Sequence, residues 1–402
     1  MKKIITLSLL CVLMFPALLA QNKYDDLLRV KRDSLDYGFY NVVDLKLHNG
    51  RFMKNSESLD DIMDNPYDAI DVRIGFQTTG VKQIWDQLYG FPVYGVGFYS
   101  VYFEGGELGD PEAVYMFMRA PIFRGKRLTW NWELAVGLSY GFYKYDPNEN
   151  PDQQVIGSNH NVYFNAATGL SYELSKRFDI TLDFDLTHFS NGSTRTPNLG
   201  VNLAGFALGG RYSFNPVKNL TKKVDSEYDP PFRPEFVIRE IEKYRRHSEI
   251  ILFGSMGGKT TTTQIYDGPT YFISSFSADY AWAYHHVGMV GAGIDLFYES
   301  ALRDYPTKIE NASFSDLTYS GWHISHYLRM YRLTLVTQLG FYIGDKVSHK
   351  GPYYLQVGGS YLITENFFAR IALKTRNGAV ADFIEWGLGY QIPFAYAKKD
   401  RN

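Results

Sequence analysis

From residue 178 to residue 187 the chain alternates without a break. Phe178, Ile180, Leu182, Phe184 and Leu186 fall on one side of an extended backbone. Asp179, Thr181, Asp183, Asp185 and Thr187 fall on the other. The motif recurs. Ile70, Val72, Ile74 and Phe76 alternate with Asp71, Arg73, Gly75 and Gln77, and Trp130, Trp132, Leu134, Val136 and Leu138 share another face. A soluble β-sandwich is the competing fold, but its inner face would be apolar and its strands shorter. Long strands with one oily face and one charged face predict a transmembrane β-barrel, oily side to lipid and polar side to the lumen.

The rest of the chain agrees with that class. Aromatic residues make up 16%, with 32 Tyr and 28 Phe, and Gly numbers 36. Beyond the N-terminal segment there is no run of about 18 apolar residues, which excludes helical spans. The net charge of −2 gives no general pull toward nucleic acid or anionic surfaces. Residues 1–20 read as a secretory signal, with Lys2 and Lys3 ahead of an apolar stretch and cleavage after Ala20. The single cysteine, Cys11, lies inside it. The mature chain is therefore expected to lack disulfides, thiolate metal sites and a cysteine nucleophile. The expected location is the outer membrane of a Gram-negative cell; no metal, cofactor or nucleic acid is expected.

Strand-like segments divide into two groups of about eight. The first ends with LGGRYSF and the second with LGYQIPF, as an internal repeat would. Between them, Asp229-Pro230-Pro231 breaks the pattern and a charged, helix-compatible stretch follows. The reading is a signal (1–20), a first barrel (21–215), a partly helical linker (216–248), a second strand-rich half (249–395) and a tail (396–402). The fold class is all-β: an antiparallel outer-membrane barrel system of about 16 strands in two eight-stranded halves. The linker and the complete strand set in each half favour two tandem barrels; one large barrel is the alternative.

The oily face of residues 178–186 continues to His188 and Ser190. With the next turn centred near Arg195, Asn202 falls opposite His188, Ala204 opposite Leu186, and Phe206 opposite Phe184. His188, Ser190 and Asn202 then converge on the outer wall at the extracellular rim. Asp179, Asp183 and Asp185 point inward, where Arg73, Arg119 and Arg211 are expected to neutralise them. A serine hydroxyl becomes a nucleophile when a base accepts its proton, and histidine titrates in the right range. A third group must orient the imidazole. Asn202 can offer a carbonyl oxygen to it but no charge. Backbone N–H groups around Asn191 and Gly192, or the Asn191 amide, are candidate oxyanion donors.

The stretch His188-Phe189-Ser190-Asn191-Gly192, followed by Pro197-Asn198-x-Gly200, resembles the signature of the lipid A 3-O-deacylases (PagL-like enzymes, also called acyloxyacyl hydrolases). The resemblance covers the first half, best over residues 159–214. It implies an eight-stranded barrel with a triad on its outer surface, cutting an ester-linked acyl chain from lipid A. It implies Ser190 as nucleophile, His188 as base, Asn191 as oxyanion residue, and Gly192 and Asn198 as motif residues. Asn202 stands where that family has an acid. The second half has Lys374-Thr375-Arg376-Asn377-Gly378 at a related place and no His-x-Ser pair, so it is read as non-catalytic. A non-enzymatic barrel, porin-like or structural, is the competing function.

Overall fold

The computed structural model describes residues 39–53, 65–80, 84–175, 177–214, 236, 240–241, 246–260, 268–377 and 380–395. The expected signal, most of the linker and the tail lie outside the described residues.

Eight antiparallel strands form the first closed barrel: β1 (Phe39–Phe52), β2 (Pro66–Thr78), β3 (Val93–Phe103), β4 (Glu112–Arg124), β5 (Leu128–Tyr140), β6 (Asn161–Glu173), β7 (Phe178–Ser190) and β8 (Val201–Ser213). β1 pairs with β8 to close it. A short helix, α1 (Ile84–Leu88), lies between β2 and β3. Eight more strands form a second closed barrel: β9 (His247–Lys259), β10 (Tyr271–His285), β11 (Gly288–Glu299), β12 (Thr318–Met330), β13 (Leu333–Ile343), β14 (Tyr353–Leu362), β15 (Phe367–Arg376) and β16 (Val380–Ala395), with β16 pairing back onto β9. The chain thus makes two tandem barrels, not one large one.

The strands are 10 to 16 residues long. At about 3.3 Å per residue and a tilt of ~35–45°, a 13-residue strand rises roughly 30 Å, the thickness of a bilayer's hydrocarbon core. The alternation read in the sequence is realised with oily side chains outward. Leu182, Phe184 and Leu186 are exposed on the wall, while Thr181, Asp183 and Asp185 are buried in the lumen. β5 stops at Tyr140, because Gly141 takes φ +91° and turns the chain into the next loop. β9 begins at His247, two residues before the 249 expected.

The first lumen is packed in two tiers. The half nearest the β7–β8 turn holds aromatic rings, among them Tyr67, Tyr99, Tyr163 and Phe189. Below them lies a charge network. Arg119 reaches Asp183 at 2.8 Å and Glu133 at 3.0 Å, and Lys46 reaches Asp183 at 2.9 Å. The expected partners need revision. Arg211 pairs with Asp44 at 2.6 Å, Arg73 with Asp71 at 2.5 Å and with Glu133, and Asp185 takes His48 at 2.9 Å. Of the three arginines only Arg119 makes an ion pair with one of the three β7 acids; pairing across a closed lumen depends on strand positions around the wall, which alternation does not encode. The second lumen repeats the scheme. His323 lies between Asp279 at 2.9 Å and Asp295 at 2.7 Å, and Glu385 accepts from Ser255 at 2.9 Å and Ser275 at 2.7 Å. Unpaired, such buried charges would cost several kcal/mol each.

Candidate active site

The site forms where β7 ends and β8 begins, on either side of the turn that joins them. Cα pairing sets His188 opposite Asn202, Leu186 opposite Ala204 and Phe184 opposite Phe206, the register expected from the alternation. Phe189, between His188 and Ser190, points inward. It is fully buried, 5.2 Å from the Phe142 ring and 5.4 Å from Tyr163. Locking Phe189 into the lumen forces its two neighbours onto the outer wall.

There the imidazole bridges two residues. His188 Nδ1 lies 2.6 Å from Asn202 Oδ1, and His188 Nε2 lies 2.9 Å from Ser190 Oγ. An amide oxygen only accepts, so Nδ1 carries the proton and donates to it. Nε2 is then left with its lone pair facing the serine hydroxyl. This is the tautomer a general base requires. His188 is partly buried and Ser190 is only 3% exposed, so the pair is largely shielded.

The turn after β7 is built to carry amides. Gly192 and Ser193 both take φ +62°, and Thr194 N and Oγ1 close back on the Asn191 carbonyl at 3.3 and 2.9 Å. The Asn191 backbone N–H donates to Asn198 Oδ1 at 3.0 Å, and Asn191 Oδ1 accepts from the Arg195 N–H at 3.4 Å. Both side-chain carbonyls are thus used. Asn191 Nδ2 and Asn198 Nδ2 remain buried without a hydrogen-bond partner. The Asn191 backbone N–H, a candidate oxyanion donor from sequence, is already occupied by Asn198 Oδ1, whereas the Asn191 and Asn198 side-chain amides are not.

Several supporting residues carry no signal in the sequence. The β5–β6 loop forms an isolated bridge from Ile156 to Asn198, and Leu199 N donates to Val155 O at 2.9 Å. Gly200 (φ +75°) passes so close to the imidazole that a Cβ would sit 2.9 Å from His188 Cε1. Ser193, outside the recognised signature, is gripped by the second barrel: its Oγ donates to Ala381 O at 2.8 Å. Only Gly200 could have been suspected, from its place in the Pro-Asn-x-Gly piece of the signature.

The second barrel has no equivalent of the His–Ser pair at the β15–β16 turn, where Lys374 points inward to Asp382 at 3.1 Å. Glu385 is buried in the lumen. His285 and His286 sit at the β10–β11 turn with rings 5.7 Å apart and edge-on, and among the described residues no group of three or more His, Cys, Asp or Glu is placed to hold a metal ion. Trp130 faces out as expected; Trp132 is instead partly covered, packing near Tyr89 at 6.5 Å.

Residues 70–211 match the family described as lipid A 3-O-deacylase (PagL), and residues 246–394 match the acyloxyacyl hydrolase C-terminal domain. A search of curated protein sequences finds no match. Among solved structures, the crystal structure of the outer membrane enzyme PagL aligns at 16% identity and TM-score 0.29, covering 41% of this chain and 97% of that one. Neisserial surface protein A (NspA) aligns at 12% identity and TM-score 0.30, covering 44% and 97%. On the two family matches, this outer-membrane chain belongs to the lipid A 3-O-deacylase (PagL) family, its first barrel by the deacylase description and its second by that of the acyloxyacyl hydrolase C-terminal domain.

Proposed function

We propose that the first barrel is a serine esterase that removes an ester-linked acyl chain from lipid A in the outer leaflet, the 3-O chain by the family's name. The observation that carries this reading is the His188 bridge between Ser190 Oγ and Asn202 Oδ1 on the lipid-facing wall. A lipid ester lies just below the sugar headgroup, at the depth where the oily face of β7 ends.

Ser190 Oγ attacks the acyl carbonyl and passes its proton to His188 Nε2. Asn202 Oδ1 holds the imidazole by its Nδ1–H through the step. Negative charge develops on the former carbonyl oxygen. The Asn191 and Asn198 side-chain amides, buried donors without partners, are suited to receive it. An unsatisfied buried donor costs about 1–3 kcal/mol, which an arriving oxyanion would recover in the transition state. The intermediate collapses as His188 returns the proton to the departing sugar oxygen. Water, deprotonated by His188, then releases the fatty acid and regenerates Ser190.

The test is mass spectrometry of lipid A from cells expressing wild type, Ser190→Ala or His188→Ala. Wild type should shift lipid A down by one acyl chain and both variants should leave it intact. Unchanged lipid A in the wild-type cells would refute the enzyme; equal deacylation by Ser190→Ala would refute the mechanism. A porin-like role finds little support, because the described aromatic rings pack the half of the first lumen nearest the β7–β8 turn.

A further inference from the structure

The tip of the candidate active-site turn does not end in solvent. It is seated in the second barrel, and the seat has a definite shape. The β9–β16 ladder starts at the pair Gly258–Ile384. Toward the extracellular end the two strands part, and a β-bulge interrupts the β15–β16 ladder between Ala381 and Phe383. Ser193 fills the fork. Its carbonyl accepts from Thr260 N at 3.0 Å and from Thr260 Oγ1 at 3.2 Å, while its Oγ donates to Ala381 O at 2.8 Å. Next to it, Gly192 lies against Ile384, where a Cβ would come 2.2 Å from Ile384 Cγ1. Trp386, Leu388 and Tyr390 on the same face of β16 are well exposed, whereas Ile384 is partly covered.

The barrels also meet at their periplasmic ends. Tyr89, just after α1, donates its hydroxyl to Arg329 O at 2.6 Å, and Trp85 and Leu88 join a cluster with Leu328 and Met330. Contacts at both ends set one barrel beside the other. A strand tilted ~35–45° travels far around a small barrel, so the top of β7 and the connection below β2 and β3 can face the same neighbour.

Residues 192 and 193 directly follow Asn191. Both occupy the left-handed region, which for a non-glycine residue such as Ser193 costs about 1 kcal/mol or more and persists where surroundings enforce it. We propose that the second barrel is a positioning element for the first. On this view, which rests on the hydrolase reading above, the β9–β16 fork holds residues 192–193 so that the Asn191 and Asn198 amides stay aimed at the developing oxyanion. Ser193, Thr260 and Ile384 are then positioning residues; none is expected to touch the reacting atoms. The non-catalytic half thereby acquires a role in the rate.

The experiment uses the full-length chain in detergent with lipid A as substrate and compares wild type, Ile384→Ala, and Ser193→Ala combined with Ile384→Ala. Val357→Ala, on the exposed wall of β14, is the control. Folding is followed by the heat-dependent gel shift of intact barrels. The double variant should stay folded and lose kcat by ten- to a hundredfold with KM changed less than about twofold, the pattern of a transition-state effect. Ile384→Ala alone, the milder change, should lose part of that. The control should match wild type. A folded double variant with wild-type kcat overturns this inference and leaves the hydrolase standing. A wild type that releases no acyl chain overturns both.

Discussion

His188 is oriented by an amide: its Nδ1–H meets Asn202 Oδ1 at 2.6 Å, and no carboxylate stands in that place. The amide fixes the tautomer as well as an acid would. It cannot offset the positive charge that the ring acquires when Ser190 loses its proton. Asn202→Asp keeps the side-chain length and adds that charge. It should raise kcat for acyl release by about ten- to a hundredfold, part of the roughly 10⁴ that separates acid from amide in a well-studied triad. Asn202→Ala should lower it. A rate for Asn202→Asp at or below wild type would mean that charge at this position does not limit the reaction.

Gly200 lies over the imidazole. A Cβ there would come within 2.9 Å of His188 Cε1, in a residue whose φ of +75° already disfavours a side chain. Gly200→Ala should push the ring off the line joining Ser190 and Asn202. A displacement of about 1 Å can cost on the order of a hundredfold in rate. The barrel gel shift should persist, since Gly200 sits in the turn outside the strands. Full activity in Gly200→Ala would show that the ring tolerates the shift.

Asn198 carries two polar groups that substitution can separate. Its Oδ1 accepts the Asn191 N–H at 3.0 Å, and its Nδ2 has no partner. Asn198→Ala removes both functions and should cost about 10²–10³ in kcat. Asn198→Asp keeps the acceptor but turns the donor into a negative oxygen. If Nδ2 serves the oxyanion, Asn198→Asp should be at least as damaging as Asn198→Ala, by steady-state kinetics on lipid A. An active Asn198→Asp variant would reduce this residue to a turn-holding role.

Much of this was readable in the chain because a strand's period of two is simple. Alternation placed Leu182 outside and Asp183 inside, set Asn202 across from His188, and separated sixteen strands. Three things escaped it. The short helix α1 sits in a connection whose few residues show no period. The lumen pairings, such as Arg211 with Asp44 rather than with a β7 acid, depend on where strands lie around the barrel. The seat of the active-site turn joins the Ser193 hydroxyl to the Ala381 carbonyl, 188 residues away, an acceptor that any sequence possesses. The loop bridge from Ile156 to Asn198 is hidden for the same reason.

Arg119 offers a test that stability and activity are built on opposite faces of one wall. It is buried, 2% exposed, and its guanidinium reaches Glu133, Asp183 and Ser171 at 3.0, 2.8 and 3.2 Å. Arg119→Met keeps much of the volume but removes the charge. Glu133 retains Arg73 and Lys46, and Asp183 retains Lys46 alone, at 2.9 Å. Breaking a buried ionic network in this way costs about 3–5 kcal/mol, with the remaining lysine contact reducing the loss. The midpoint of urea or heat unfolding, followed by the gel shift, should therefore fall clearly. The site is outside the barrel, with the aromatic tier between it and this network. Below the unfolding midpoint, kcat for Arg119→Met should stay within about threefold of wild type, since no transition-state contact is removed. A large fall in kcat with an unchanged midpoint would show instead that the lumen charges act on His188 and Ser190 through the wall.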